Sequence, residues 1–229
     1  LARTGAEGVP RIERAKVAAR ILRESLPELP MGVVSLTDRV LPHLFPSSDQ
    51  DVFAATLDRS LGIEQPPPRA AGFATTVTAL DALATIRTHR FFSASVDVRK
   101  RLLIVFTDGE SQPVAGARLG ALFGRAPAID VMFVHLWDAG ERVYAAGAPE
   151  PQYKPDRSAP VVLDGLANLL SGDVYGEDEI AEAVAKARER MGSGESVVRG
   201  TQTGEIALSP FMAAAAFVPL LLLLWRRDR

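Results

Sequence analysis

Leu102-Leu-Ile-Val-Phe-Thr-Asp-Gly-Glu110 opens with five apolar residues in a row and then breaks into a hydroxyl, a carboxylate and a glycine. An apolar run without polar alternation suits a strand buried on both faces, which is the habit of parallel sheets covered by helices. Ile129-Asp-Val-Met-Phe-Val134 repeats the signal after a helical segment that carries Gly116, Gly120 and Gly124 at four-residue spacing. In a membrane that spacing would suggest helix pairing, but Arg118 and Arg125 favour close packing of the helix on a sheet.

Outward from this pair the chain keeps alternating. Ile12, Ala15, Ala19, Leu22 and Leu26 recur at helical spacing behind Pro10, and Pro27 and Pro30 close that helix. Gly32–Thr37 is a short apolar strand, and Val40–Phe45 a second one interrupted by Pro42. Ser48 with Asp51 marks a helix start, with Phe53, Leu57 and Leu61 on one face. Gln65-Pro-Pro-Pro68 is a rigid connector, and a helix follows from about Thr76 to His89, burying Val77, Leu80, Leu83 and Ala84. Asp138-Ala-Gly140 reads as a hairpin turn leading to Val143-Tyr144. Helices are expected over Val161–Leu170 and Glu177–Met191. Strands alternating with helices predict a doubly wound, mostly parallel α/β sheet with helices on both faces.

Composition narrows the function. The chain has 229 residues, enough for one sizeable domain and an appendage. Its net charge of -2 gives no basic surplus for nucleic acid, and the absence of cysteine excludes disulfides, thiolate metal sites and cysteine nucleophiles. From Ile206 to Trp225, twenty residues carry no charge, and Arg226-Arg227-Asp228-Arg229 follows. As a helix this stretch spans about 30 Å, a hydrocarbon thickness, with Trp225 at the interface. It predicts a transmembrane helix over 206–225, a linker over 192–205 and a basic cytoplasmic tail over 226–229. Arg226, Arg227 and Arg229 against a lone Arg199 in the preceding fifteen residues place the globular domain outside the cytoplasm.

In open α/β sheets ligands bind at the carboxyl ends of the strands. Asp108 sits there, and the loop Ala71-Gly-Phe-Ala-Thr75-Thr76 delivers two hydroxyls where its helix begins. A carboxylate with hydroxyls and water is an oxygen-only set suited to Mg²⁺ rather than zinc. Each loop also has a plain structural reading, a capped helix and an everyday Asp-Gly turn, which on these residues alone takes precedence. His43, His89 and His135 are scattered, and no nucleophile elbow or phosphate-binding glycine loop occurs. Asp178, Glu179 and Glu182 ahead of Lys186, Arg188 and Arg190 match a helix dipole on a solvated face.

Arg11-Ile-Glu-Arg-Ala-Lys16, Met31-Gly-Val-Val-Ser-Leu-Thr-Asp38, Ala74-Thr75 and Leu103-Ile-Val-Phe-Thr-Asp-Gly-Glu110 occur in that order. Together they resemble bacterial membrane-anchored von Willebrand factor A (VWA) domain proteins of the aerotolerance-operon kind, over residues 1–191. The resemblance implies a metal-ion-dependent adhesion site, with Thr75 (Thr76 in the alternative register) and Asp108 as ligands. It also implies Mg²⁺, or Mn²⁺ or Ca²⁺, with one position left open for an Asp or Glu of a protein partner. That makes the chain a binding module, not an enzyme, held in a lipid bilayer. A second implied role is a scaffold or assembly factor beside a MoxR-type AAA ATPase, without metal-mediated adhesion.

The resemblance has one gap. No Asp-x-Ser-x-Ser motif occurs, and the family pattern places it just before the 1–11 segment. One reading is that the chain as given starts after the motif, lacks the central first strand and three ligands, and does not bind the ion alone. The other is a domain without the site. On the first reading, Gly32–Thr37 and Leu102–Phe106 either flank an open slot or pair directly.

Overall fold

A computed structural model describes residues 8–62, 78–88, 91–92, 100–111, 113–138, 140–145 and 148–192. Thr75, Thr76, the linker from residue 193 and the 206–225 stretch lie outside the described residues. The chain divides into units 1–194 and 195–229, and all described residues belong to the first. Among them no helix is long and apolar enough to cross a membrane.

In chain order the elements are α1 (Arg11–Ser25), β1 (Met31–Leu36), β2 (Val40–Ser47), α2 (Gln50–Ser60) and a 3-10 turn (Leu80–Leu83) running into α3 (Ala84–Thr88). Then come β3 (Leu102–Thr107), α4 (Gly116–Phe123), β4 (Asp130–His135), and the two-residue strands β5 (Tyr144–Ala145) and β6 (Ala148–Pro149). The last are α5 (Ala159–Leu169), β7 (Asp173–Gly176), and α6 (Ile180–Met191) behind a 3-10 turn at Glu177–Glu179.

The two apolar runs form neighbouring parallel strands, β3 and β4, with Leu103 opposite Val131 and Val105 opposite Phe133. β7 pairs parallel on the far side of β4, so β4 is central and Val131 through Val134 have no exposed surface. Side chains alternate across a strand, and both faces are covered. Val131 and Phe133 join Leu103 and Val105 under Leu80, Leu83, Ile86, Leu119, Phe123, Leu163 and Leu166. Met132 and Val134 lie against Ala15, Ala18 and Leu22 of α1 and Ile180, Ala183 and Ala187 of α6. The result is a mixed α/β layer structure around a parallel three-stranded sheet.

β1 and β2 form a separate antiparallel hairpin, with Pro42 opposite Val34. Val34 and Leu36 pack into the same core as Leu103 and Val105, while Met31 packs into the core that takes in Leu102, Ile104 and Phe106. The hairpin therefore shares both cores with the parallel sheet. Even so, β1 and β3 do not pair directly, and among the described residues no strand stands between them.

Several local expectations shift. Helix α2 is capped by Asp49, whose carboxylate accepts from Val52 N at 2.9 Å, rather than by Ser48. The segment expected as one helix to His89 enters through a 3-10 turn, because Ala79 N is bound to the Thr37 carbonyl at 2.9 Å and Asp81 accepts from Ala115 N at 2.9 Å. Asp138 does make a turn, accepting from Gly140 N at 2.7 Å, but β5 pairs with β6, not back onto β4. The α4 glycines pack on a helix rather than the sheet: a Cβ on Gly120 would lie 2.5 Å from the Leu169 carbonyl oxygen of α5.

Candidate functional site at the carboxyl edge of the sheet

β3 ends on Thr107, which is buried and whose Oγ1 accepts from Gly109 N at 3.0 Å. That contact curls the chain, and Gly109 takes the left-handed region at φ 73°, where side chains are strained. The turn puts Asp108 and Glu110 at the carboxyl edge, with side chains 14% and 19% exposed. From the parallel neighbour, His135 Nε2 lies 3.2 Å from the Asp108 carbonyl oxygen, and its ring stacks on Trp137 at 5.9 Å between centroids.

The connection from β4 to α5, residues 136–158, hangs on Glu110. Glu110 Oε1 accepts from Trp137 Nε1 at 2.8 Å, from the Tyr153 hydroxyl at 2.6 Å and from Asp156 N at 3.3 Å. Burial, then the bond to Glu110, pushes the Tyr153 phenol up to about 12 against the opposing pull of Arg11.

Arg11, the first residue of α1, is 1% exposed and reaches into this edge. Its Nε donates to Glu141 Oε2 at 2.6 Å, its Nη1 to Asp108 Oδ2 at 3.3 Å and its Nη2 to the Tyr153 oxygen at 3.2 Å. Nη1 also lies 3.9 Å from Glu110 Oε2. Burial disfavours its charge, but the Glu141 bond, Tyr153 and Asp108 outweigh that and hold the guanidinium above its ordinary pKa. Arg14, one turn on, donates to the other Glu141 oxygen at 2.6 Å and lies 3.2 Å from Glu177.

Of the two expected metal ligands, Asp108 is at the expected edge, and Thr75 falls outside the described residues. The described residues do not by themselves make a site for a divalent ion. The Asp108 carboxylate faces a guanidinium, and no group of three or more carboxylate or imidazole side chains among the described residues is arranged to hold a metal. Arg11, Glu141 and Tyr153 were not singled out from sequence. One signal was available for Arg11. A cation at the first position of a helix opposes the helix dipole, so it implies anionic partners supplied by the fold.

No family model matches the chain, and no curated protein matches it. Solved structures do match it, two of them as follows. One is an aerotolerance-related membrane protein from Bacteroides fragilis, a form with multiple mutations to serines. It is 16% identical, with a TM-score of 0.60 over 80% of this chain and 88% of that one. The fold is shared. The second is the conserved hypothetical protein BatB from Bacteroides thetaiotaomicron, 17% identical, with a TM-score of 0.60 over 82% of this chain and 93% of that one. At such identities the likeness extends to architecture and not to individual site residues.

Proposed function

We propose that this chain is a membrane-associated, VWA-type protein-binding domain of the aerotolerance-related kind, with the partner seated on the carboxyl edge of its parallel sheet. The observation that carries the reading is the construction of that edge. Charged and aromatic side chains from α1, the β3 exit and the 136–158 connection are brought together there at hydrogen-bond distance. Ligands of open α/β sheets bind at this end. The two structural neighbours, one of them described as a membrane protein, and the uncharged 206–225 stretch support placement at a bilayer. An ion bridging Asp108 to a partner's Asp or Glu is no part of this reading, because Arg11 already answers that carboxylate.

The test is site-specific photo-crosslinking in native membranes. A benzophenone side chain is placed at Arg157, exposed in the connection at the carboxyl edge, or at Arg125, exposed in the loop that enters β4 from the opposite end. A discrete protein adduct from position 157 and none from 125 is expected. Adducts from 125 alone, or from neither, would overturn the proposal.

A further inference from the structure

Helix α1 begins with a charge in an unfavourable place. Its first-turn N–H groups carry partial positive charge, and Arg11 adds a full one at the first helical position. Water gives little relief, because the side chain is 1% exposed. Both costs are offset by what surrounds it. Glu141 takes Nε at 2.6 Å, Asp108 takes Nη1 at 3.3 Å, and Glu110 lies 3.9 Å from Nη1. The remaining nitrogen donates to Tyr153, whose own hydroxyl proton goes to Glu110. Carboxylates from the β3 exit and from the 136–158 connection thus ring one buried cation that enters from α1. A guanidinium is permanently charged and offers five donors in a fixed fork, which is how a single side chain serves several oxygens at once. A divalent ion at Asp108 would need the same negative charge and about six or more oxygens.

We propose that Arg11 is the resident cation of this edge: it neutralises Asp108, Glu110 and Glu141 in place of a dissolved metal ion, and clamps α1, the β3 exit and the 136–158 connection together. Asp108 is then a positioning carboxylate rather than a metal ligand, and a ligand that needs Asp108 must first displace Arg11. The inference stands apart from the proposed function, since it concerns how the edge is closed and not what lands on it.

The test uses the full 229-residue chain in detergent, with Arg11→Gln, Asp108→Asn, the double variant and Arg11→Lys. Melting is followed in EDTA and in millimolar Mn²⁺, and trypsin cleavage after the exposed Arg157 is followed well below the melting temperature. The wild-type chain is expected to melt at the same temperature in both buffers. Each single variant should melt several degrees lower, and the double variant by less than the sum of the two, because the residues share an interaction. Arg11→Lys should not restore wild-type behaviour, since an ammonium is a point charge that does not span separate carboxylates. Cleavage after Arg157 should accelerate in every variant that loses the clamp. If Arg11→Gln does not fold, Asp108→Asn and Arg11→Lys carry the same comparison. Additive losses, unchanged cleavage, or an Asp108-dependent rise in wild-type melting temperature with Mn²⁺ would overturn the proposal.

Discussion

Replacing Glu110 with alanine is expected to cost about 3 kcal/mol of domain stability, and the figure follows from the donors that lose their acceptor. Glu110 Oε1 receives Trp137 Nε1 at 2.8 Å, the Tyr153 hydroxyl at 2.6 Å and Asp156 N at 3.3 Å. A hydrogen bond to a charged group contributes about 1.5–3 kcal/mol. The Glu110 side chain is 19% exposed, which argues for the lower end of that range. The bond from Asp156 N, at an exposed position, passes to water and is counted as nothing. Two bonds at about 1.5 kcal/mol each remain. Glu110→Gln keeps an oxygen at the same reach but makes it a neutral acceptor, roughly half as strong, so its cost should be about 1.5 kcal/mol. Urea unfolding measures both variants, read by circular dichroism for the whole domain and by Trp137 fluorescence for the connection, in a Trp225→Phe background. An alanine variant within about 0.5 kcal/mol of wild type, the range of an ordinary surface change, would refute the anchoring argument. A glutamine variant as costly as alanine would refute the charge part of it.

Gly120→Ala should destabilise by about 1–2 kcal/mol, because overpacking against the Leu169 carbonyl exceeds the gain of about 1 kcal/mol in helix propensity. Gly116→Ala should be near neutral by the same thermal assay, since its Cβ meets the flexible end of the Leu169 side chain. The folded Tyr153 phenol sits above its unfolded value, so its contribution to stability is complete below about pH 10 and is lost as pH rises toward about 12. Glu110→Gln should lower its titration midpoint, read as tyrosinate absorbance with Tyr144 and Tyr175 replaced by phenylalanine. Protease added to spheroplasts should digest the globular domain, as the arginines after Trp225 predict; full protection until lysis would reverse that orientation.

What was legible in the sequence was legible for a physical reason. The apolar runs at 102–106 and 129–134 announced β3 and β4, because a strand covered on both faces has no polar side to show. β7 gave no such signal: Asp173-Val-Tyr-Gly176 is four residues long and gains its place by pairing with β4. Helix starts slipped by a residue or two: α2 takes its cap from Asp49, and α5 begins at Ala159 without a side-chain cap. Asp108 was placed correctly at the carboxyl edge because Thr-Asp-Gly follows an apolar strand without interruption. Its partner was not, since Arg11 meets Glu141 and Tyr153 across 130 and 142 residues of chain. Nothing local encodes such a meeting. Only the misfit of an arginine at a helix start hinted at it.

The most direct test is the state of the Arg11 guanidinium in solution. Nitrogen NMR of the chain with labelled arginine should show an Arg11 Nε–H that exchanges slowly with water and shares a scalar coupling with the Glu141 carboxylate. That signal should be unchanged by EDTA or by added Mg²⁺, because Arg11 is the cation the edge already holds. An Nε–H that exchanges as fast as that of an exposed arginine, or one released when Mg²⁺ is added, would contradict the account.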